Sequence, residues 1–199
     1  MITRKEMTRM LLKEGLLSWL ANNSFESVTV TSLCKASGIT RSTFYLHYSN
    51  IMEIVDDLVD DAIAYSKPGM VDNNNLQTIA NTLSAASNSV SLREAYDSIF
   101  DRLPLCQRII RHKKYLPLFL DEQISEYVLQ RIIGREKDRQ GLVMAEALGT
   151  SFDVGVSVFV FLVHGLYAVN KQYKWSQTDE WLEAQKIIFE LVYRGLQRR

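Results

Sequence analysis

Thr29, Thr31, Thr40, Arg41, Ser42, Thr43, Tyr45, His47 and Tyr48 bring hydroxyls, a guanidinium, an imidazole and two phenols into one stretch of chain. Side chains of these types grip nucleic acid. Hydroxyl and amide donors to phosphate oxygens fix a protein on a duplex, and contacts to base edges read its sequence. An arginine fork can donate to O6 and N7 of guanine, the commonest specific side-chain contact. Arg41 can serve in that role or pair with a phosphate, and the sequence does not separate the two. Thr29 and Thr31 stand where a helix is expected to begin, so the positive end of that helix would help them attract a phosphate.

Two short helices around a tight turn are needed to present these groups. Thr29 is expected to N-cap the first, over residues 30–36, by accepting a bond from a first-turn amide. Gly38 follows at the position that needs a left-handed residue without a Cβ. Ile39 is expected to plug the turn into the core, and Thr40 to cap the second helix. Phe44 and Tyr48 lie four apart and can face inward together, leaving Arg41, Ser42, Thr43, Tyr45 and His47 to point elsewhere. Tyr48 itself is divided between core packing and a phosphate contact. This is the layout of a helix-turn-helix, whose second helix enters the major groove with its N-terminal residues near base edges.

At these positions the first ~60 residues resemble the DNA-binding domain of the tetracycline-repressor (TetR) family of bacterial regulators. The matching elements are Leu20, Phe25, Thr29-Val30, Leu33, Gly38-Ile39 and the run Thr43-Phe44-Tyr45-Leu46-His47-Tyr48. Three positions depart from the family pattern. Ser24 stands where Gly is usual, Ser37 where Ala is usual, and Ile51 where a phosphate-touching Lys often opens the fourth helix. The resemblance implies an all-α chain. Its parts would be a helix-turn-helix domain over residues 1–50, a connecting fourth helix over 51–66, and a helical ligand-binding and dimerisation domain over 67–199. It further implies a homodimeric repressor on a palindromic double-stranded DNA operator, with a small-molecule effector in the second domain.

Composition neither requires nor forbids such a partner. The 199 residues hold 23 basic and 23 acidic side chains, and 47% hydrophobic content supports a substantial core. The distribution is less even. Residues 1–50 carry six basic side chains (Arg4, Lys5, Arg9, Lys13, Lys35, Arg41) against three acidic, whereas residues 51–66 carry five acids and no base. A basic head followed by an acidic, solvated connecting helix suits a DNA module. Two cysteines, Cys34 and Cys106, make neither a disulfide framework nor a zinc site, and Cys34 is expected to act as a small buried hydrophobe. The polar start carries no signal-peptide pattern, and the uncharged run Val154 to Val169 is shorter than a membrane span requires. A cytoplasmic protein without membrane contact is therefore expected.

Hydrophobic spacing predicts helices nearly throughout. Met7, Met10, Leu11, Leu17 and Leu20 form the expected core stripe of the first helix, which Asn22 and Asn23 would end in a left-handed conformation. Beyond the break at residues 67–75, helices are expected near 76–89, 92–103, 105–112, 116–133, 137–147, 152–173 and 179–197. The last two carry surplus apolar surface, which suggests a symmetric four-helix dimer interface.

Effector contacts are represented only by candidates: Tyr96, Phe100, Tyr115, Phe119, Tyr127, Phe159, His164 and Tyr167. Aromatics at helical spacing are more often core, and no ligand is assigned. The cluster Arg108, Arg111, His112, Lys113 and Lys114 is expected to be a solvated helix end. Enzymatic readings find no support. The nine glycines form no phosphate-binding loop, His47, His112 and His164 have no metal-ligand spacing, and pairs such as Asp56-Asp57, Asp60-Asp61 and Asp121-Glu122 read as solvated faces. No cofactor or metal is expected. The alternative is a TetR-like interaction module or co-regulator with weak or no sequence-specific DNA binding, motivated by Ile51 and the small basic excess.

Overall fold

A computed structural model describes residues 3–66, 73–104, 107–108 and 113–196, and none of these is in a strand. The α-helices among them are α1 (Arg4–Leu20), α2 (Val30–Ser37), α3 (Arg41–Tyr45), α4 (Ile51–Ser66), α5 (Asn73–Ser84), α6 (Ser89–Ser98), α7 (Pro117–Leu120), α8 (Ser125–Leu148), α9 (Phe152–Gln172) and α10 (Asp179–Leu196). The all-α expectation holds for the described residues, including the apolar segment 152–172. The chain divides into two compact units, one of residues 1–65 and 112–132, the other of residues 66–111 and 133–199.

In the first unit, Leu12, Leu16, Leu33, Phe44, Ile54 and Leu58 are fully buried and draw α1 to α4 together. The α1 stripe differs from expectation. Leu12, Leu16, Leu17 and Leu20 are inside, whereas Met7, Met10 and Leu11 are exposed. One face of a helix takes residues three and four apart, and Leu12 and Leu16 set that face here. Nor does a left-handed asparagine end α1. Ala21 caps it in right-handed geometry, and Asn22 and Asn23 donate back to the carbonyls of Ser18 and Trp19.

The helix boundaries beyond residue 72 also shift. α6 starts at Ser89 because Asn88 and Ser91 form a reciprocal capping box, and α8 runs unbroken through the expected gap at 133–137. Most of the helix expected at 105–112, with Cys106, Arg111 and His112, lies outside the described residues. In the second unit α10 packs along α5 and α6, with Trp181, Tyr96, Ile79 and Leu83 in the core. α8 and α9 meet at glycine: a Cβ on Gly155 would stand 2.2 Å from the Gly141 carbonyl oxygen.

α9 has 21 residues, and its most apolar 18-residue window has a mean hydropathy of 1.9, so by length and composition it reaches a membrane span, contrary to the shorter run expected. One such helix is weak evidence, since core helices meet the same criterion. It buries Gly155, Phe159, Leu166, Tyr167 and Asn170 while exposing Phe152, Val154 and Phe161.

Candidate nucleic-acid interface

The turn between α2 and α3 is built by local chemistry. Thr29 accepts from the Ser32 amide at 3.0 Å, and Ser32 Oγ accepts from the Thr29 amide at 2.9 Å, a reciprocal cap. Gly38 ends α2 with φ of 66°, and the Ile39 amide returns to the Cys34 carbonyl at 2.9 Å. Thr40 then caps α3 by accepting from the Thr43 amide. Its hydroxyl also lies 2.9 Å from Ser42 Oγ and 2.8 Å from Thr43 Oγ1, which clusters three hydroxyls at the start of the second helix. α3 is shorter than expected, ending at Tyr45, but Phe44 and Tyr48 still turn inward together.

Thr29, Thr31, Thr40, Arg41, Ser42 and Tyr45 are exposed, and Thr43 and His47 are half-buried. Tyr45 is 53% exposed, its ring edge-on to Phe44. Tyr48 leaves this set. It is only 3% exposed, its hydroxyl donates to Asp57 Oδ2 at 2.6 Å, and the Arg9 guanidinium lies 4.6 Å from its ring centre. These contacts fit the core-packing alternative for Tyr48. Burial, then the bond to Asp57, raises its pKa well above the ordinary tyrosine value. Cys34 is buried as expected, and burial raises its thiol pKa, so it behaves as a small hydrophobe rather than a reactive thiolate.

The acidic helix is not a solvated face. Arg9 Nε donates to Asp57 Oδ2 at 3.1 Å, Lys13 pairs with Asp61, and Asp56 takes Tyr127 at 2.7 Å and Arg131 at 3.1 Å. Asp121, also read as solvent-facing, is buried and accepts from the Phe25, Gln123 and Ile124 amides. Two of the six cations of residues 1–50 are thus neutralised within the unit. Arg4, Lys5, Lys35 and Arg41 are exposed and carry no ion pair among the described residues.

Leu46 was not singled out by sequence reasoning, yet it is 80% exposed beside Tyr45. Its position between the two inward-facing aromatics was the available signal, because the residue midway between i and i+4 points away from their face. Ile51 is half-buried at the first turn of α4. Glu53 stands in the same turn and accepts from the Ser49 amide at 2.8 Å.

Of the effector candidates, Tyr115, Phe119 and Tyr127 belong to the first unit. Lys114 pairs with Glu14 at 2.6 Å, and Arg108 is buried rather than solvated. Among the described residues no cluster of His, Cys, Asp and Glu could hold a metal ion. No family model matches the chain, and no curated protein matches it.

Proposed function

We propose that the chain is a DNA-binding transcriptional regulator of the TetR type, acting as a homodimeric, ligand-responsive repressor on a palindromic operator. One observation carries the reading: the two capped helices α2 and α3 bury Leu33, Cys34 and Phe44 and leave Thr31, Lys35, Thr40, Arg41, Ser42 and Tyr45 exposed. Arg41 and the three clustered hydroxyls sit at the N-terminal end of α3, where base edges and phosphates are reached in helix-turn-helix complexes. Repression and ligand release are taken from the motif resemblance. A ligand would act by favouring a dimer arrangement whose reading heads no longer fit the operator spacing.

A second reading, an interaction module without sequence reading, is favoured by a separate observation. Arg9 and Lys13 are spent on Asp57 and Asp61, and the first turn of α4 presents Ile51 and Glu53 instead of a cation. Selection of bound duplexes from a random DNA pool, followed by anisotropy at several salt concentrations, separates the two. The regulator yields a palindrome and an affinity that falls log-linearly with salt. Recovery of no motif by an intact, folded protein establishes the module reading instead.

A further inference from the structure

The second unit buries a polar network that stops short of satisfying itself. Trp181 Nε1 donates to Asn170 Oδ1 at 3.0 Å, and the Trp181 ring packs edge-on against Tyr96 with centres 5.2 Å apart. The Tyr96 hydroxyl donates to Gln107 Oε1 at 3.2 Å, and Gln107 Nε2 donates to Gln185 Oε1 at 2.8 Å. Both ends are open: Asn170 Nδ2 and Gln185 Nε2 have no hydrogen-bond partner among the described residues, and both side chains are fully buried. An indole N–H can only donate, so Asn170 must turn its oxygen to Trp181 and its NH2 away. That orientation is dictated by chemistry.

The Asn170–Trp181 bond ties α9 to α10 beside both open ends. Trp181 and Gln185 are one turn apart on the same face of α10, about 6 Å along the axis. Tyr167 stands one turn before Asn170 on α9, is buried, and its hydroxyl has no partner among the described residues. The chain between the helices reverses through two left-handed residues, and the Trp175 amide returns to the Asn170 carbonyl at 2.8 Å. Lys174 and Trp175 take φ of 49° and 57°, a region that large side chains rarely enter. The reversal places the Trp175 ring 5.6 Å from Tyr167. An apolar core would avoid the desolvation of these donors and the strain together, so the arrangement is costly unless something accepts their hydrogens.

We infer that Tyr167, Asn170 and Gln185 form a binding site for a small neutral ligand that combines a flat apolar body with a carbonyl-type hydrogen-bond acceptor. The Trp175 ring against Tyr167 and the Trp181 ring against Tyr96 supply the neighbouring apolar surface. No carboxylate belongs to the network, and the two open amides favour an acceptor over a cation. Regulation of DNA binding by this site rests on the reading above; ligand binding itself does not, and it is measured without DNA.

The test uses the full chain and matched probes: 1-indanone against indane, and chromone against naphthalene. Binding is followed by tryptophan emission and by calorimetry. At least one carbonyl probe is expected to bind saturably and ten-fold or more tighter than its hydrocarbon partner. Asn170→Leu, with wild-type helical content, should abolish that preference. Gln185→Leu, which leaves the Trp181 bond in place, serves if the first variant does not fold. Equal or absent binding within both pairs, or a preference that survives in a folded variant, overturns the proposal. Failure to find an operator would leave this outcome unchanged.

Discussion

Tyr45 and Tyr48 are three residues apart and chemically alike, yet the fold gives them opposite environments. Tyr45→Ala removes an exposed ring, so it should weaken operator binding about ten-fold or more while leaving unfolding nearly unchanged. Loss of the fold in that variant would mean the ring supports the core. Tyr48 belongs to the core, and its raised pKa makes a statement about stability. The folded state holds the phenol proton more tightly than the unfolded chain does. Its contribution is therefore complete below the ordinary tyrosine pKa near 10 and is lost as pH rises above it. Tyr115, raised mainly by burial, and Tyr127, raised mainly by its bond to Asp56, act in the same direction. Denaturant unfolding from pH 8 to 11 should show stability falling above about pH 10, less steeply in Tyr48→Phe. An unchanged slope in that variant would place the alkaline loss elsewhere. The inward role of Phe44 was legible from spacing alone. The choice for Tyr48 was not, because it depends on Arg9 and Asp57, which come from two other helices.

Elements were most legible where a cap or a strict turn residue fixed them. Thr29, Gly38 and Thr40 lie where the sequence reading put them, since each answers a local need of the backbone that no distant contact overrides. Gly38→Ala tests this directly. None of the described residues comes within 4 Å of the added Cβ, so the cost is that of a left-handed alanine, about 1–2 kcal/mol. Gly155→Ala should fail for another reason, a collision with backbone atoms of α8, costing roughly 1–3 kcal/mol despite the better helix propensity. Thermal or denaturant unfolding measures both, and a neutral Gly155→Ala would mean that α8 and α9 can separate freely. The faces of α1 and α4 were harder to read. Which of Met7, Met10, Leu11 and Leu12 goes inside depends on the neighbour rather than on the period. The acids of α4 resembled a solvated face because their partners Arg9, Lys13 and Arg131 lie far away in sequence.

For the whole molecule, the open question is what covers α9 and α10. Phe161 is 75% exposed and Leu191 66% exposed, although each lies in a helix whose opposite side is packed in the core. Single exposed apolar residues are ordinary on a surface, but Phe152, Val154, Phe161, Ile187 and Leu191 fall on two helices already in contact through Asn170 and Trp181. The homodimer proposed through 152–173 and 179–197 would cover this surface with its own copy, as a two-fold interface requires. Phe161→Lys combined with Leu191→Lys places two cations per subunit in that interface without touching the buried faces. Sedimentation should then find a dimer for the unaltered chain and a monomer for the variant, with helical content preserved. Operator affinity should fall by several orders of magnitude, because each monomer keeps only one reading head and loses the gain from linking two half-sites. A variant that remains dimeric would assign the interface to another surface. A monomer that keeps full operator affinity would instead contradict reading by paired heads.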